Sequence, residues 1–384
     1  MIDFCYQNYT ENFIQAIFDS IEAKGSTIVI GGDGRYFSPE TVQTILKIGS
    51  ANGVGKFIIG KDTILSTPAA SNVIRKYKAT GGILLTSSHT PGGIEGDFGI
   101  KYNVSNGGPA QDELRFQIYG KTKTITSYKV IDVPPVSLST NFVPVSCLVY
   151  SDPRQVDLSK IGEYTCGTSK VSVIDSVSDY LKLLQSIFDF PLIKEFLDLH
   201  RSDFRVLFDG LNGATGLYAR AILVDSLGLH ESSLQNCTPL PDFGGLYPDP
   251  NFTHGRTLID AVDANGIDFG AASDGDGDKH FICGKGAFVT PSDSVAIIAH
   301  WADTIPYFKK GGVKGLARSM PTSKAIDLVA QKKGFEYFEV PTGKSDWSSS
   351  KKKLTLSTRL EILWKSHGCW TAVHLWGRII WNRF

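Results

Sequence analysis

The stretch Ile83-Leu84-Leu85-Thr86-Ser87-Ser88-His89-Thr90-Pro91-Gly92-Gly93 reads as a short apolar strand that runs into a turning loop. Pro91, Gly92 and Gly93 force the chain to turn. A small hydroxyl residue, Ser88, is thereby presented next to His89, the pairing in which a nucleophile meets a proton-handling group. The same Ser/Thr/Gly/Pro composition is also ordinary turn chemistry. Taken alone, the loop leaves both readings open.

Working outward, Thr27-Ile28-Val29-Ile30 and Phe57-Ile58-Ile59 are further short β-branched or apolar runs, and Glu40 to Ile48 and Ala69 to Tyr77 are helix-like. Strands alternating with helices predict an α/β domain with a mixed, mostly parallel sheet. In such sheets the active loops lie beyond the carboxyl ends of strands, where the serine loop falls. The pattern restarts downstream. Phe204 to Phe208 leads into Asp209-Gly210-Leu211-Asn212-Gly213, and Ile267 to Ala272 leads into Ser273-Asp274-Gly275. A strand followed by Asp-Gly thus recurs near 33, 209 and 274, which suggests tandem related α/β units. Boundaries near Ser176 and Pro291 divide the chain into 1–176, 177–290, 291–343 and a tail 344–384. Thr122 to Ser159 is less regular. Thr238 to Asn251, with four prolines, reads as a long exposed connection.

The composition is that of a water-soluble globular chain. Its 384 residues suffice for two or three domains, apolar residues make up 42% and charged ones 20%. With 39 basic and 39 acidic residues, no charge excess points to nucleic acid or a membrane surface. No apolar stretch is long enough to span a bilayer. Met1 to Tyr6 lacks the pattern of a secretion signal. Cys5, Cys147, Cys166, Cys237, Cys283 and Cys369 are scattered, as expected for reduced thiols in a cytoplasmic protein and not for a zinc site.

Asp274-Gly275-Asp276-Gly277-Asp278 is the second informative stretch. Three carboxylates at alternate positions, with glycines between them, can converge on one hard cation. Unneutralised, they would repel one another. An EF-hand is excluded, because Lys279 and Lys285 stand where its glycine and closing glutamate belong. Mg2+ fits such a set best, since it takes a few carboxylates together with phosphate oxygens. An Asp/Gly turn without a metal is the alternative.

Both loops resemble those of the phosphohexomutases, which carry Thr-Ala-Ser-His-Asn-Pro at the phosphoserine loop and Asp-Gly-Asp-Gly-Asp-Arg at the metal loop. Ser87 and Thr90 replace the family's Ala and Asn, and Lys279 replaces its Arg. Lysine keeps the charge but loses the planar fork that holds a phosphate bidentately. Glu95 to Asn103 and Ser105 to Ala110 extend the match. The resemblance runs from about Asn8 to Gly343 and is closest to glucose-specific phosphoglucomutases at Lys101-Tyr102-Asn103, Arg318 to Ser323 and Glu339 to Gly343.

The resemblance implies that Ser88 carries a phosphoryl group between sugar phosphates. Asp274, Asp276, Asp278 and the Ser88 phosphate would hold Mg2+, with glucose 1,6-bisphosphate as intermediate. It also implies that His89 and Lys101 handle a proton or contact phosphate, although His89 could equally just order its loop. Arg35, Lys279 and Thr342 are the implied substrate contacts. A surface ion pair is the other reading of Arg35. The implied partner is a sugar phosphate, with no nucleic acid or membrane, and the expected state is a monomer.

The family's Gly-Thr-Ser-Gly-Leu-Arg motif is absent, and after Gly343 the match stops. Read one nucleotide later, suitable codons for Leu360 to Phe384 yield the family's Trp-Lys-Phe-Phe-Gly and Cys-Gly-Glu-Glu-Ser-Phe-Gly, and Gly343-Lys344-Ser345 can encode a splice donor. A retained intron with a shifted frame is the reading of 344–384, which is then expected to pack poorly. The third domain is expected to be incomplete, the fourth absent and mutase turnover weak or absent. A non-catalytic relative serving as an adaptor or cytoskeletal partner is the rival, favoured by Thr90 and Lys279.

Overall fold

The computed structural model describes residues 2–132, 156–313 and 315–340, and the backbone of 362–365. Within it the chain divides into two compact units. The first is Met1–Asp179 together with Leu240–Gly245, and the second comprises Tyr180–Pro239 and Leu246–Phe384.

The β-branched run near residue 28 forms strand β1 (Thr27–Gly32), whose Ile28, Val29 and Ile30 are fully buried. Continuous burial of this kind fits a strand covered on both faces. The first unit is built on β1, β2 (Lys56–Ile64), β3 (Gly81–Leu85), β4 (Ile100–Val104), β5 (Gly162–Cys166) and β6 (Ser169–Ile174). They lie in the order β4-β3-β1-β2-β6-β5. β1 is parallel to β2 and β3, β6 is parallel to β2, and the edge strands β4 and β5 run antiparallel. The crossover helices are Ser38–Ala51 and Thr67–Lys76. The second begins where the Ser66 side chain accepts the Ala69 N–H, with a proline in the first turn. Both helices start a little earlier than expected from the sequence, because each is opened by a proline just inside its first turn, and the second ends at Lys76 with Tyr77 as its cap.

The second unit contains the sheet β11-β10-β9-β7-β8, formed by β7 (Val206–Asp209), β8 (Leu234–Gln235), β9 (Phe269–Ser273), β10 (His280–Gly284) and β11 (Ala287–Val289). β7 is parallel to β8 and β9, whereas β9, β10 and β11 form an antiparallel meander. The same unit holds a parallel sheet of β12 (Gly315–Ser319) flanked by β13 (Glu336–Val340) and β14 (Ile362–Lys365). Arg318 on β12 is buried and makes a two-pronged pair with Asp327, Nε to Oδ1 at 2.8 Å and Nη2 to Oδ2 at 2.6 Å. Apart from the β14 backbone, the tail read from sequence as a shifted frame lies outside the described residues, as do Cys147, Cys369 and most of the irregular segment before Ser159.

One expectation is corrected. The proline-rich stretch Thr238 to Asn251 is not simply an exposed connection, for Phe243 within it is fully buried. The apolar ring and the Pro241 carbonyl find partners beneath the serine loop, which composition alone does not reveal.

Candidate active site

In the first unit the serine loop starts where β3 ends. Ser88 is buried and has φ of 60°, in the left-handed region that disfavours a residue with a side chain. A conformation costing about 1 kcal/mol or more persists only where the surroundings over-determine it. Here they do. The Ser88 N–H donates to Thr86 Oγ1 at 2.8 Å, and Thr86 Oγ1 donates to Asp33 Oδ2 at 2.6 Å. Asp33, beyond the end of β1, receives Arg35 Nε at 3.0 Å and Nη2 at 2.9 Å. Arg35 Nη1 donates to the Asp97 carbonyl at 2.6 Å and Nη2 to the Ser88 carbonyl at 3.3 Å.

Asp33 and Arg35 are both fully buried. Arg35 is therefore not the surface ion pair considered from the sequence. Its guanidinium is directed at Asp33 and at the carbonyls of the serine loop, so it holds the backbone that presents Ser88. Asp33 and Thr86 are functional positions that the sequence does not single out. The only signal was that Asp33 sits two residues from Arg35 in a loop of the same type.

His89 follows Ser88 and is half-buried. Lys101 lies on β4, paired with Leu84 of β3, and is half-buried near the root of the loop. Thr342 lies outside the described residues.

In the second unit the acidic loop connects the antiparallel pair β9 and β10. Asp274 organises it: Oδ1 accepts the N–H groups of Asp278 and Lys279, both at 2.9 Å, and its own N–H donates to the Lys279 carbonyl at 3.2 Å. Asp274, Asp276 and Asp278 are buried, and one oxygen from each lies within 4.8 Å of the others. Three buried carboxylates converging in this way fit a hard cation.

Lys279 reaches back into the same cluster, with Nζ 2.6 Å from Asp278 Oδ1 and 3.4 Å from Asp274 Oδ2. Burial works against its charge, but the carboxylates of Asp274, Asp278 and Asp276 outweigh it and hold its pKa well above that of an ordinary lysine. The lysine that sequence placed toward substrate thus lies against the carboxylates.

The loop after β7 supports the acidic loop. Asp209 is fully buried and accepts from the Leu211 N–H at 2.9 Å, Gln235 Nε2 at 2.8 Å and Asn236 Nδ2 at 3.1 Å. Burial still raises its pKa against these bonds. Ala214 N donates to the Gly275 carbonyl at 2.9 Å. A β-carbon at Gly213 would stand 2.6 Å from Gly275 Cα, so only glycine fits there. The recurrence of Asp-Gly near 209 was legible, but its buttressing role was not.

One α/β unit thus carries a clamped serine and the other a buried Asp triad, the two features that mark the phosphohexomutase class. The chain belongs to the phosphoglucomutase/phosphomannomutase family: residues 3–129 match its α/β/α domain I and residues 178–286 its α/β/α domain II. It is 54% identical over 338 residues to a phosphoglucomutase of Aspergillus oryzae, a match covering 88% of this chain and 57% of the relative. Phosphoglucomutase 2 of Saccharomyces cerevisiae is 51% identical over 345 residues, covering 88% and 57% respectively. The chain therefore spans little more than half the length of these relatives. Among solved structures, the open form of the Paramecium exocytosis-sensitive phosphoprotein parafusin, a phosphoglucomutase, superposes with a TM-score of 0.84 at 37% identity, covering 99% of this chain and 67% of that one.

Proposed function

We propose that this chain carries out phosphoglucomutase-type phosphoryl transfer, with Ser88 as the phosphoryl carrier and glucose phosphates as the substrates. The observation that carries this reading is the clamped serine itself. A serine held in the left-handed region by Thr86, Asp33 and Arg35 is pre-organised as a nucleophile needs to be. The relatives at 51–54% identity, all phosphoglucomutases by name, support glucose over other sugars.

In the forward step Ser88 Oγ attacks a phosphorus atom of glucose 1,6-bisphosphate. A serine O–P bond forms, the sugar O–P bond breaks, the serine proton passes to a base and the sugar oxygen takes up a proton. His89, adjacent to Ser88, is proposed as the group that moves the proton, and Lys101 as a phosphate contact. Asp274, Asp276 and Asp278 would hold Mg2+, which when bound offsets negative charge on phosphoryl oxygens. Lys279 is proposed to contact the sugar phosphate once such a cation takes over neutralising the aspartates. Thr342 and domain limits at 176, 290 and 343 belong to the same proposal, as does a cytoplasmic monomer.

A second reading, a non-catalytic adaptor, is favoured by one observation. Lys279 already supplies a positive charge to the acidic cluster. Acceptor preference separates the two. The chain phosphorylated on Ser88 should pass phosphate to glucose 1-phosphate faster than to mannose 1-phosphate or N-acetylglucosamine 1-phosphate. Equal transfer to all three would refute the glucose assignment, and failure to pass phosphate to any would favour the adaptor.

A further inference from the structure

We propose that the Leu240–Gly245 strap is a positioning element of the serine loop, with the Phe243 ring and the Pro241 carbonyl holding the turn that sets where Ser88 is presented. The inference rests on the reading of Ser88 as phosphoryl carrier. The strap packs within the first unit, while the residues before and after it belong to the second.

Four observations place the strap under the loop. The Pro241 carbonyl accepts from Tyr36 N at 2.9 Å and from Gly93 N at 3.3 Å, so one acceptor joins the Asp33–Arg35 loop to the serine loop. A β-carbon at Gly92 would stand 2.6 Å from that carbonyl oxygen and 3.0 Å from Phe243 Cδ2 and Cε2, which shows how closely strap and loop approach. Arg35 Cζ lies 5.2 Å from the centroid of the Phe243 ring. This is the same guanidinium that donates to the Ser88 carbonyl. Finally, Phe243 is fully buried although its φ of 54° is unfavourable for a bulky residue.

The strap keeps this shape through its own bonds. Phe243 N donates to the Leu240 carbonyl at 3.0 Å, Gly245 N to the Asp242 carbonyl at 3.1 Å and Gly244 N to Asp242 Oδ1 at 3.0 Å. A strained, self-closed turn that buries an aromatic ring beside a buried guanidinium does more than fill space. It excludes water from the Asp33–Arg35 pair and restrains that guanidinium through its ring contact. Losing the ring loosens Arg35, and with it the carbonyls of Ser88 and Asp97.

The test uses the full chain with Phe243→Ala and Phe243→Leu. Two quantities are followed: amide hydrogen exchange along 86–99 and along β2, and the rate of Ser88 phosphorylation by glucose 1,6-bisphosphate with Mg2+ at varied donor concentration. For Phe243→Ala, exchange in 86–99 should rise about tenfold or more while β2 stays protected. The maximal phosphorylation rate should fall about tenfold or more, with the half-saturating donor concentration unchanged. Phe243→Leu, which restores bulk without the ring, should show a smaller change in the same direction and carries the test if the alanine variant does not fold. Unchanged loop exchange, or exchange rising equally in β2, overturns the proposal. If the native chain takes no phosphate on Ser88, the carrier reading fails, and the exchange comparison still decides the strap.

Discussion

Thr86 Oγ1 lies 2.6 Å from Asp33 Oδ2, a buried bond between residues 53 positions apart that ties the end of β3 to the end of β1. The same oxygen receives the Ser88 N–H at 2.8 Å. One hydroxyl thus relays the Asp33–Arg35 pair to the backbone of the candidate nucleophile.

Thr86→Val keeps the shape and removes both bonds. It leaves a buried carboxylate short of a donor and a buried N–H short of an acceptor, which costs about 2 kcal/mol. Urea unfolding should show that loss, and Ser88 phosphorylation should slow by about tenfold or more.

Lys279→Met removes the ammonium that lies 2.6 Å from Asp278 Oδ1. Three buried carboxylates then lose the positive charge that offsets their repulsion, so the metal-free protein should melt earlier. If the proposed metal assignment holds, Mg2+ binds the folded loop alone and restores stability in a concentration-dependent manner. Calorimetry with and without Mg2+ checks this. A variant whose melting temperature ignores Mg2+ would refute the metal assignment.

Gly92→Ala drives a β-carbon to 2.6 Å from the Pro241 carbonyl oxygen. Strap or loop must yield, at a cost of about 1–3 kcal/mol. Thermal unfolding measures it, and Gly120→Ala, where nothing lies within 4 Å of the new atom, is the control expected to be no less stable than the native chain.

Burial raises the thiols of Cys237 and Cys283 to about 11, while Cys5 is exposed. The thiolate is the reactive form, so at pH 8 about one in a thousand of each of these two groups is reactive. Iodoacetamide should label Cys5 and spare both. Reactivity of these two should climb about tenfold per pH unit until pH approaches about 11. Peptide mapping after brief alkylation reads the outcome.

Much of this architecture was legible because its signals are local. The β-branched run at Ile28 to Ile30 and the apolar run at Ile83 to Leu85 mark strands, and alternating Asp and Gly at 274–278 marks the loop whose three carboxylates converge. The missed features are contacts between residues distant in sequence. Nothing periodic announces that Phe243 lies beside Arg35, or that Thr86 bonds Asp33. The pairing of Lys279 with Asp274 and Asp278 is equally silent in the sequence, because it depends on how tightly the β9–β10 loop turns. Four prolines make Thr238 to Asn251 read as exposed, yet Phe243 and two of the prolines, Pro248 and Pro250, are buried.

The central claim is tested most directly by the covalent state of Ser88. Incubated with glucose 1,6-bisphosphate and Mg2+, the native chain should acquire one phosphate, which peptide mass spectrometry locates on Ser88. Ser88→Ala should acquire none, and Asp276→Asn should acquire it at least about tenfold more slowly. A native chain that remains unphosphorylated, or one phosphorylated at another residue with Ser88 untouched, would contradict the account.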